Sequence, residues 1–556
     1  MSNETPKLSP VEKIKTSSDG LRGSIKESLT DSITGKIRDD DTQVIKFHGM
    51  YQQDDRDIRE ERAQKKLETL YSFMIRLRLP GGFLKSEEWI ALHHIAGEYS
   101  TGVIKITTRQ TVQLHGILKS EIKPTIQAFN LAKLDSIATC GDINRNVTCN
   151  ALPSQSPLHR EVHAYAEKIS KMLMPKTQSY YEIWLDGEEF HNRESEKDPL
   201  YQDRYLPRKF KIGIAIPPQN DVDVFTNDIG LTAIIENEKL LGFNIAIGGG
   251  LSFTHGNEAT YPRLATNICY TDSEEKTLKA IYEIITIQRD YGNRSDRKQA
   301  RLKYTVDRLG LDFYKEELSK RAGFPLDPPK TVEFTQRKDD FGWSKSTDGL
   351  WHFTAFVECG RITDENGINT KSALLETAKL GIANFRFTCN QNLVIADLQE
   401  KDKEKIESIL KNHNVIDITF NSSAIRLSSL ACVAFNTCPL ALAEAQRYIP
   451  SLITKMEPIL QKHNMIKDDI VLRMTGCPNG CGRSTASEIG LIGTAYGLYN
   501  LHIGGDRNGL RLNRKYKENL DEENILLTLD SLFLQYSKEK EESETFGDFC
   551  IRVGWV

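Results

Sequence analysis

The chain has 556 residues, with 73 Lys plus Arg against 77 Asp plus Glu for a formal net charge of -4, and 39% of it is hydrophobic. That length suits two large domains or three to four ordinary ones, and the near balance of charge excludes any global attraction for nucleic acid or an anionic membrane, so a basic site must be local. No apolar run approaches the ~18 residues of a membrane span, and the opening MSNETPKLSPVEKIK lacks the basic patch and apolar stretch of a secretory signal; the expected location is cytoplasmic, with the ten cysteines as ligands or buried thiols, not bridges.

Residues 1–43 are polar and charged without apolar periodicity, which predicts a mobile arm able to dock a partner. A first unit, A (44–125), pairs a helical stretch from Ser86 to Gly97 with the alternating run from Val103 to Leu114, the pattern of two strands. In B (126–335) a charged stretch from Asp186 to Arg204 reads as a surface loop, and Ile229-Gly230-Leu231 is followed by Phe243-Asn244 and Ile247-Gly248-Gly249. Unit A′ (336–415) repeats A: a helical stretch from Lys371 to Leu380 precedes the run from Asn384 to Ile395. Lys105, Thr107 and Gln110 recur there as Arg386, Thr388 and Gln391. Unit B′ (416–556) repeats B with Ile489-Gly490-Leu491, Tyr499-Asn500 and Ile503-Gly504-Gly505. Internal similarity of this kind predicts an α+β fold duplicated as ABA′B′ about a pseudo-twofold, with a site between the halves.

Four cysteines stand apart from the rest. Cys432 and Cys438 lie in ACVAFNTCPL, Cys477 and Cys481 in TGCPNGCGR, so C-x5-C is followed after 38 residues by C-x3-C. Four soft thiolates suit a structural zinc or a 4Fe-4S cluster, and the five-residue gap fits a zinc knuckle poorly. The Pro and Gly around Cys477 and Cys481 open the backbone so that amides can donate to cluster sulfurs. Cys140, Cys149, Cys269, Cys359, Cys389 and Cys550 show no such pairing and read as small core residues.

With these motifs the chain resembles the sulfite and nitrite reductase family, whose members carry siroheme and one 4Fe-4S cluster. The resemblance extends to KFHGMYQQDDR (46–56), RLPGG (78–82), TTRQ (107–110), NRNV (144–147) and LPRKFK (206–211). It implies ferredoxin-like A and A′ units and two siroheme/4Fe-4S-type B and B′ units. It also implies that Cys432, Cys438, Cys477 and Cys481 hold the cluster, with Cys481 bridging it to the siroheme iron. The activity implied is six-electron reduction of sulfite to sulfide, and the run from Met50 to Arg56 together with the long N-terminal arm resembles the NADPH-linked branch. There the partner is an NADPH-dependent flavoprotein alpha subunit carrying FAD and FMN. A ferredoxin-dependent sulfite or nitrite reductase is the nearest alternative, and a zinc-stabilised binding protein the alternative from another class.

Siroheme bears eight carboxylates and sulfite is itself an anion, so cations must gather locally. Arg76, Arg109, Arg145, Arg208, Lys209, Lys211 and Arg301 lie in apolar or strand-like segments, where an unpaired charge is costly and a bound polyanion would remove the cost. By resemblance, Arg76, Arg145, Lys209 and Lys211 surround the substrate. Arg109, Gln113, His115, Arg208, Arg301 and Asn479 match residues beside the macrocycle or cluster, and Lys105 stands where some relatives carry Arg. The basic run from Arg294 to Arg308 has no aromatic platform for nucleic acid. Gly248-Gly249-Gly250 has Phe253 where a dinucleotide loop needs its third glycine, so electrons are expected from another protein.

Overall fold

The computed structural model describes residues 7–152, 155–176, 184–185, 188–189 and 197–556. Of the expected surface loop from Asp186 to Arg204, residues 186–187 and 190–196 lie outside the described ones. From residue 197 onward the chain turns inward: Asp198 accepts the backbone N–H groups of Lys176, Leu200 and Tyr201, and Tyr201 is fully buried.

Two five-stranded antiparallel sheets form the first layer. One runs in the order Met50–Asp54, Tyr71–Arg76, Val112–Ile117, Ile104–Ile106 and Arg361–Ile362; the other in the order Gly342–Lys345, Trp351–Ala355, Leu393–Leu398, Asn384–Phe387 and Phe83–Lys85. Each half lends the other its edge strand: Phe83–Lys85 pairs with Asn384–Phe387, and Arg361–Ile362 pairs with Ile104–Ile106. The exchange closes an otherwise open edge on each sheet and fuses the halves around one core. Helix Ser86–Tyr99 points Trp89, Leu92 and Ala96 at that core, a helical stripe, and the Trp89 ring packs 4.9 Å from Phe385 of the other half.

The second pair of sheets also repeats. Ile212–Ala215 runs parallel to Ile229–Glu236 with Ile212 opposite Ile229, and Leu472–Thr475 runs parallel to Ile489–Ala495 with Leu472 opposite Ile489. Antiparallel strands then follow in both, Lys239–Ile247 and Thr266–Thr271 in one, Leu498–Ile503 and Arg514–Leu520 in the other. The α+β, duplicated architecture is therefore present at the level of residue register.

The repeated glutamine has a physical reason. Gln110 and Gln391 both adopt left-handed backbone, φ 56° and 69°, a conformation that costs a non-glycine residue roughly 1–2 kcal/mol. Each then clasps one peptide of the neighbouring unit. Gln110 donates to the Cys149 carbonyl and accepts its N–H; Gln391 does the same with Ala431. The two clasps bind the first layer to the second.

The mobile arm expected over residues 1–43 is not found over residues 7–43. Helices span Pro10–Ser17 and Ile25–Thr30, Leu21 and Ile37 are buried in two different cores, and Glu12 and Lys15 are buried as an ion pair. Composition misleads because the buried charges here neutralise each other, so a polar sequence packs without a long apolar stripe.

Candidate functional site

Four thiols and a group of cations meet where loops of the two second-layer units come together, the Phe253 N–H donating to the Pro478 carbonyl. Cys432 Sγ accepts the Gly476 N–H at 3.3 Å, Cys477 Sγ accepts the Asn479 amide at 3.4 Å, and the Cys481 carbonyl accepts the Thr108 hydroxyl at 3.0 Å. Burial raises the pKa of the Cys432, Cys438 and Cys477 thiols, and the charge of Cys481 raises each of them further, so all four lie within electrostatic reach of one another. Cys481 alone of the ten cysteines is exposed. Among the described residues no three His, Cys, Asp or Glu side chains come close enough to share one metal ion, whereas a 4Fe-4S cube spreads its thiolates over four corners. Gly482 is needed where it stands, since a Cβ there would lie 2.4 Å from the Met474 carbonyl and 3.1 Å from the Cys432 N–H.

Beside Cys481 lies a cleft of about 390 Å³, counting its open mouth, lined among others by Thr108, Arg109, Lys211, Arg301, Asn479 and Arg483. Arg109 donates to Asn227 at 2.5 Å and to the carbonyls of Asn146 and Ile212. Arg301 forms a two-pronged pair with Asp228 at 3.1 and 2.8 Å. Burial pulls the Lys209 ammonium down to about 7, with Arg208, Arg301 and Arg145 pushing the same way and Cys481 opposing them. Lys211 is lowered by burial and then by Lys209, Arg109 and Arg301. These two lysines thus feel both the arginines and the exposed thiol.

The remaining expected residues form a chain leading to the same place. Arg76 grips Gln113 Oε1 with two N–H groups at 3.2 and 2.7 Å and donates to Cys140 Sγ at 3.2 Å. Gln113 turns its amide nitrogen to His115 Nε2, and His115 Nδ1 faces Gln53 Oε1, both at 2.9 Å. Thr437, next to Cys438, stands 3.3 Å from the same Nδ1. Burial, Arg76 and Lys105 push His115 down to about 3, so its neutral ring orients Gln113. Arg145 donates to the Tyr51 hydroxyl and the Gly141 carbonyl, and Arg208 lies 3.8 Å from Asp142. Lys105 gives its ammonium to the Cys359 carbonyl and feels Cys432, which places it beside the thiols.

Whether these residues fit a polyanionic macrocycle is tested by what they leave unpaired. Buried Nε atoms of Arg109, Arg145 and Arg483 have no hydrogen-bond partner, at a cost of about 1–3 kcal/mol each that an anionic ligand would remove. The pseudo-twofold supplies an internal control. By register, Lys209, Lys211, Arg145 and Arg109 correspond to Asp469, Val471, Leu427 and Asn390. Those four line the equivalent cleft of about 770 Å³, along which Thr335, Gln336, Arg337 and Lys338 run. The second cleft also has Arg473 and Arg507, but Asp339, Asp340 and Asp469 offset its cations, whereas among the described residues no carboxylate lines the first.

Some contributors were not anticipated. Asp142, Asp228, Asn227 and Thr108 orient the arginines and the Cys481 loop; Asp142 precedes Arg145 by three residues and Asp228 opens its strand, but only the folded contacts mark them. Gly249 is required by protein rather than ligand, because a Cβ there would sit 2.3 Å from the carbonyls of Phe225 and Asn227. Lys303 is buried and donates to the carbonyls of Gly250 and Ser252.

Burial also fixes a pH dependence. It lowers Lys303 to about 7 and Lys46 to about 8, so above those values the unfolded chain holds more protons than the folded one. The cofactor-free protein should therefore gain stability as pH rises from about 7 to 8.5. Chemical denaturation across that range checks this; Lys303→Met should flatten the rise, and a falling midpoint in the unsubstituted protein contradicts it.

Comparison with known proteins follows the same lines. The family model for the nitrite and sulphite reductase 4Fe-4S domain matches residues 164–326, the half that carries Lys209, Lys211 and Arg301 rather than the four cysteines. The model for the nitrite/sulfite reductase ferredoxin-like half domain matches residues 65–132 and 344–413. The chain is 61% identical over 551 residues, 99% of both chains, to the sulfite reductase [NADPH] hemoprotein beta-component of Leptospira biflexa. It is 50% identical over 555 residues to that of Staphylococcus saprophyticus, covering all of this chain and 97% of the other. The NirA protein of Mycobacterium tuberculosis superposes with a TM-score of 0.80 at 24% identity, over 99% of this chain and 97% of NirA, a likeness of fold.

Proposed function

The chain belongs to the nitrite and sulfite reductase family, and from that premise we propose that it is the hemoprotein component of an NADPH-dependent sulfite reductase. It reduces sulfite to sulfide with six electrons for sulfate assimilation and cysteine biosynthesis in the cytoplasm, and an FAD- and FMN-bearing flavoprotein delivers the electrons. Siroheme and a 4Fe-4S cluster, when bound, supply the electron transfer. Cys432, Cys438, Cys477 and Cys481 would hold the cluster. Arg109, Arg301 and Asn479, with Arg208 and the Gln113–His115 pair, would hold the macrocycle; the units 44–125, 126–335, 336–415 and 416–556 are its domains.

The observation that carries this reading is the position of Cys481, the one exposed cysteine, within electrostatic reach of the three other thiols and of both Lys209 and Lys211. The protein's own part in the chemistry is electrostatic. Arg76, Arg145, Lys209 and Lys211 stabilise negative charge on sulfite oxygens in a site where few carboxylates compete. An ammonium lowered to about 7 both carries charge and releases a proton near neutral pH, so Lys209 Nζ is suited to protonate departing oxygen, which leaves as water. Lys209→Met should lower sulfite turnover about 100-fold while siroheme and iron contents stay unchanged; unaltered kinetics would remove Lys209 from the site. The reading as a whole is tested by metal analysis and a visible spectrum of the purified protein: iron, labile sulfide and a tetrapyrrole band are expected, and a colourless zinc protein would overturn it.

A further inference from the structure

The N-terminal segment reaches the base of the cation-bearing stretches through Lys15. Lys15, on helix Pro10–Ser17, is 1% exposed and donates to Glu12 at 2.5 Å, to the Leu206 carbonyl at 2.8 Å and to Asp142 at 3.5 Å. Glu12, equally buried, is held from its other oxygen by Arg294. Asp142 is a shared acceptor: Arg297 grips it at 2.7 and 3.1 Å, and Arg208 stands off at 3.8 Å. The two points that Lys15 touches lie at the roots of the two cation-bearing stretches. Leu206 precedes Arg208, Lys209 and Lys211, and Asp142 precedes Arg145. The stretches are themselves laced together, Phe210 donating to the Ile143 carbonyl and Arg145 to the Phe210 carbonyl.

We propose that Lys15 is a positioning residue for the anion site: by taking up part of the Asp142 charge it leaves Arg208 free to add its own charge to the cation group next to Lys209, and by binding the Leu206 carbonyl it fixes the stretch that presents Lys209 and Lys211. Without Lys15, Asp142 keeps Arg297 but loses one of its cations, and Arg208, 3.8 Å away, is placed to close onto it. The Leu206 carbonyl also loses a donor. The cleft then loses positive charge although none of the residues lining it has changed. This inference rests on the proposed function, because sulfite is the anion whose binding is read.

The experiment is a titration of the oxidised, cofactor-loaded protein with sulfite, followed by visible absorbance, for four forms: unsubstituted, Lys15→Met, Asp142→Asn and the double variant. Lys15→Met should weaken sulfite binding roughly 5- to 20-fold, the scale of one coupled site, with unchanged siroheme and iron contents, and Lys15→Arg should restore most of it. In the Asp142→Asn background the carboxylate that would draw Arg208 is gone and Glu12 keeps Arg294, so only the Leu206 contact is lost and adding Lys15→Met should change affinity by less than about threefold. Equal losses in both backgrounds, or no loss in either, overturn the proposal. If Lys15→Met alone does not fold, the Asp142→Asn pair decides in the same way. Failure of the unsubstituted protein to bind sulfite would count against the proposed function instead.

Discussion

Cys481→Ser should abolish sulfite reduction in a protein that still folds. The side chain is exposed, and substitutions at exposed positions with no burial to lose change stability by about 0.5 kcal/mol or less. The loss is chemical. A serine hydroxyl is a hard, protonated oxygen at neutral pH and a poor ligand for iron, where a thiolate is a soft one. Cys481 is the thiol within electrostatic reach of Cys432, Cys438 and Cys477 and also of Lys209 and Lys211. Both the cluster and the tetrapyrrole signals should therefore change together, and activity with a small artificial reductant should fall to background. Circular dichroism and thermal melting of the cofactor-free variant should match the parent. A variant with normal spectra and turnover would show that Cys481 is not the link.

Asp223→Ala should have the largest effect on folding. Asp223 is buried at the centre of the second layer with Arg337 at 2.5 Å, Arg473 at 2.7 Å and Arg483 at 2.6 Å, all of them buried. Burial by itself would raise its pKa; Arg337, Arg473 and Arg483 overturn that and hold the carboxyl well below the usual range. By register Asp223 and Arg483 are pseudo-twofold mates, so the pair sits at the junction of the two halves. Removing the carboxylate leaves three guanidinium groups in the interior without a counter-charge, at a cost of about 3–5 kcal/mol. Arg483 also lines the cleft, so whatever folded protein remains should take up less cofactor. Denaturant melting of Asp223→Ala against Asp223→Asn, which keeps the shape and one acceptor, measures the effect; a melting midpoint equal to the parent's would contradict it. Because the folded pKa is depressed, this contribution persists above the ordinary carboxylate range and is lost only as pH falls through the lowered value.

The parts of this molecule that were legible beforehand are those written in local pattern. Alternation located the strands Ile104–Ile106 and Val112–Ile117 and their repeats Asn384–Phe387 and Leu393–Leu398, and the cysteine spacing located the four thiols. What long-range contact decides was not legible. The exchanged edges Phe83–Lys85 and Arg361–Ile362 are only three and two residues long, too short for any periodicity to announce. Asp142 and Asp223 are ordinary acidic residues until folding brings arginines from distant segments onto them. The N-terminal segment failed the usual test for order because Glu12 and Lys15 are charged, yet each buried charge meets an opposite one. The glycine triplet shows the converse: three glycines in a row invite a ligand-loop reading that Phe253 refuses, and at Gly249 the constraint is two backbone carbonyls.

The most direct test of the central claim is the balance of electrons in a reaction containing this chain, its flavoprotein partner, NADPH and sulfite. The account predicts sulfide as product with three NADPH oxidised for each sulfide released and no accumulation of partly reduced sulfur. NADPH oxidation without sulfide, or sulfide formation that proceeds equally well without this chain, would contradict it.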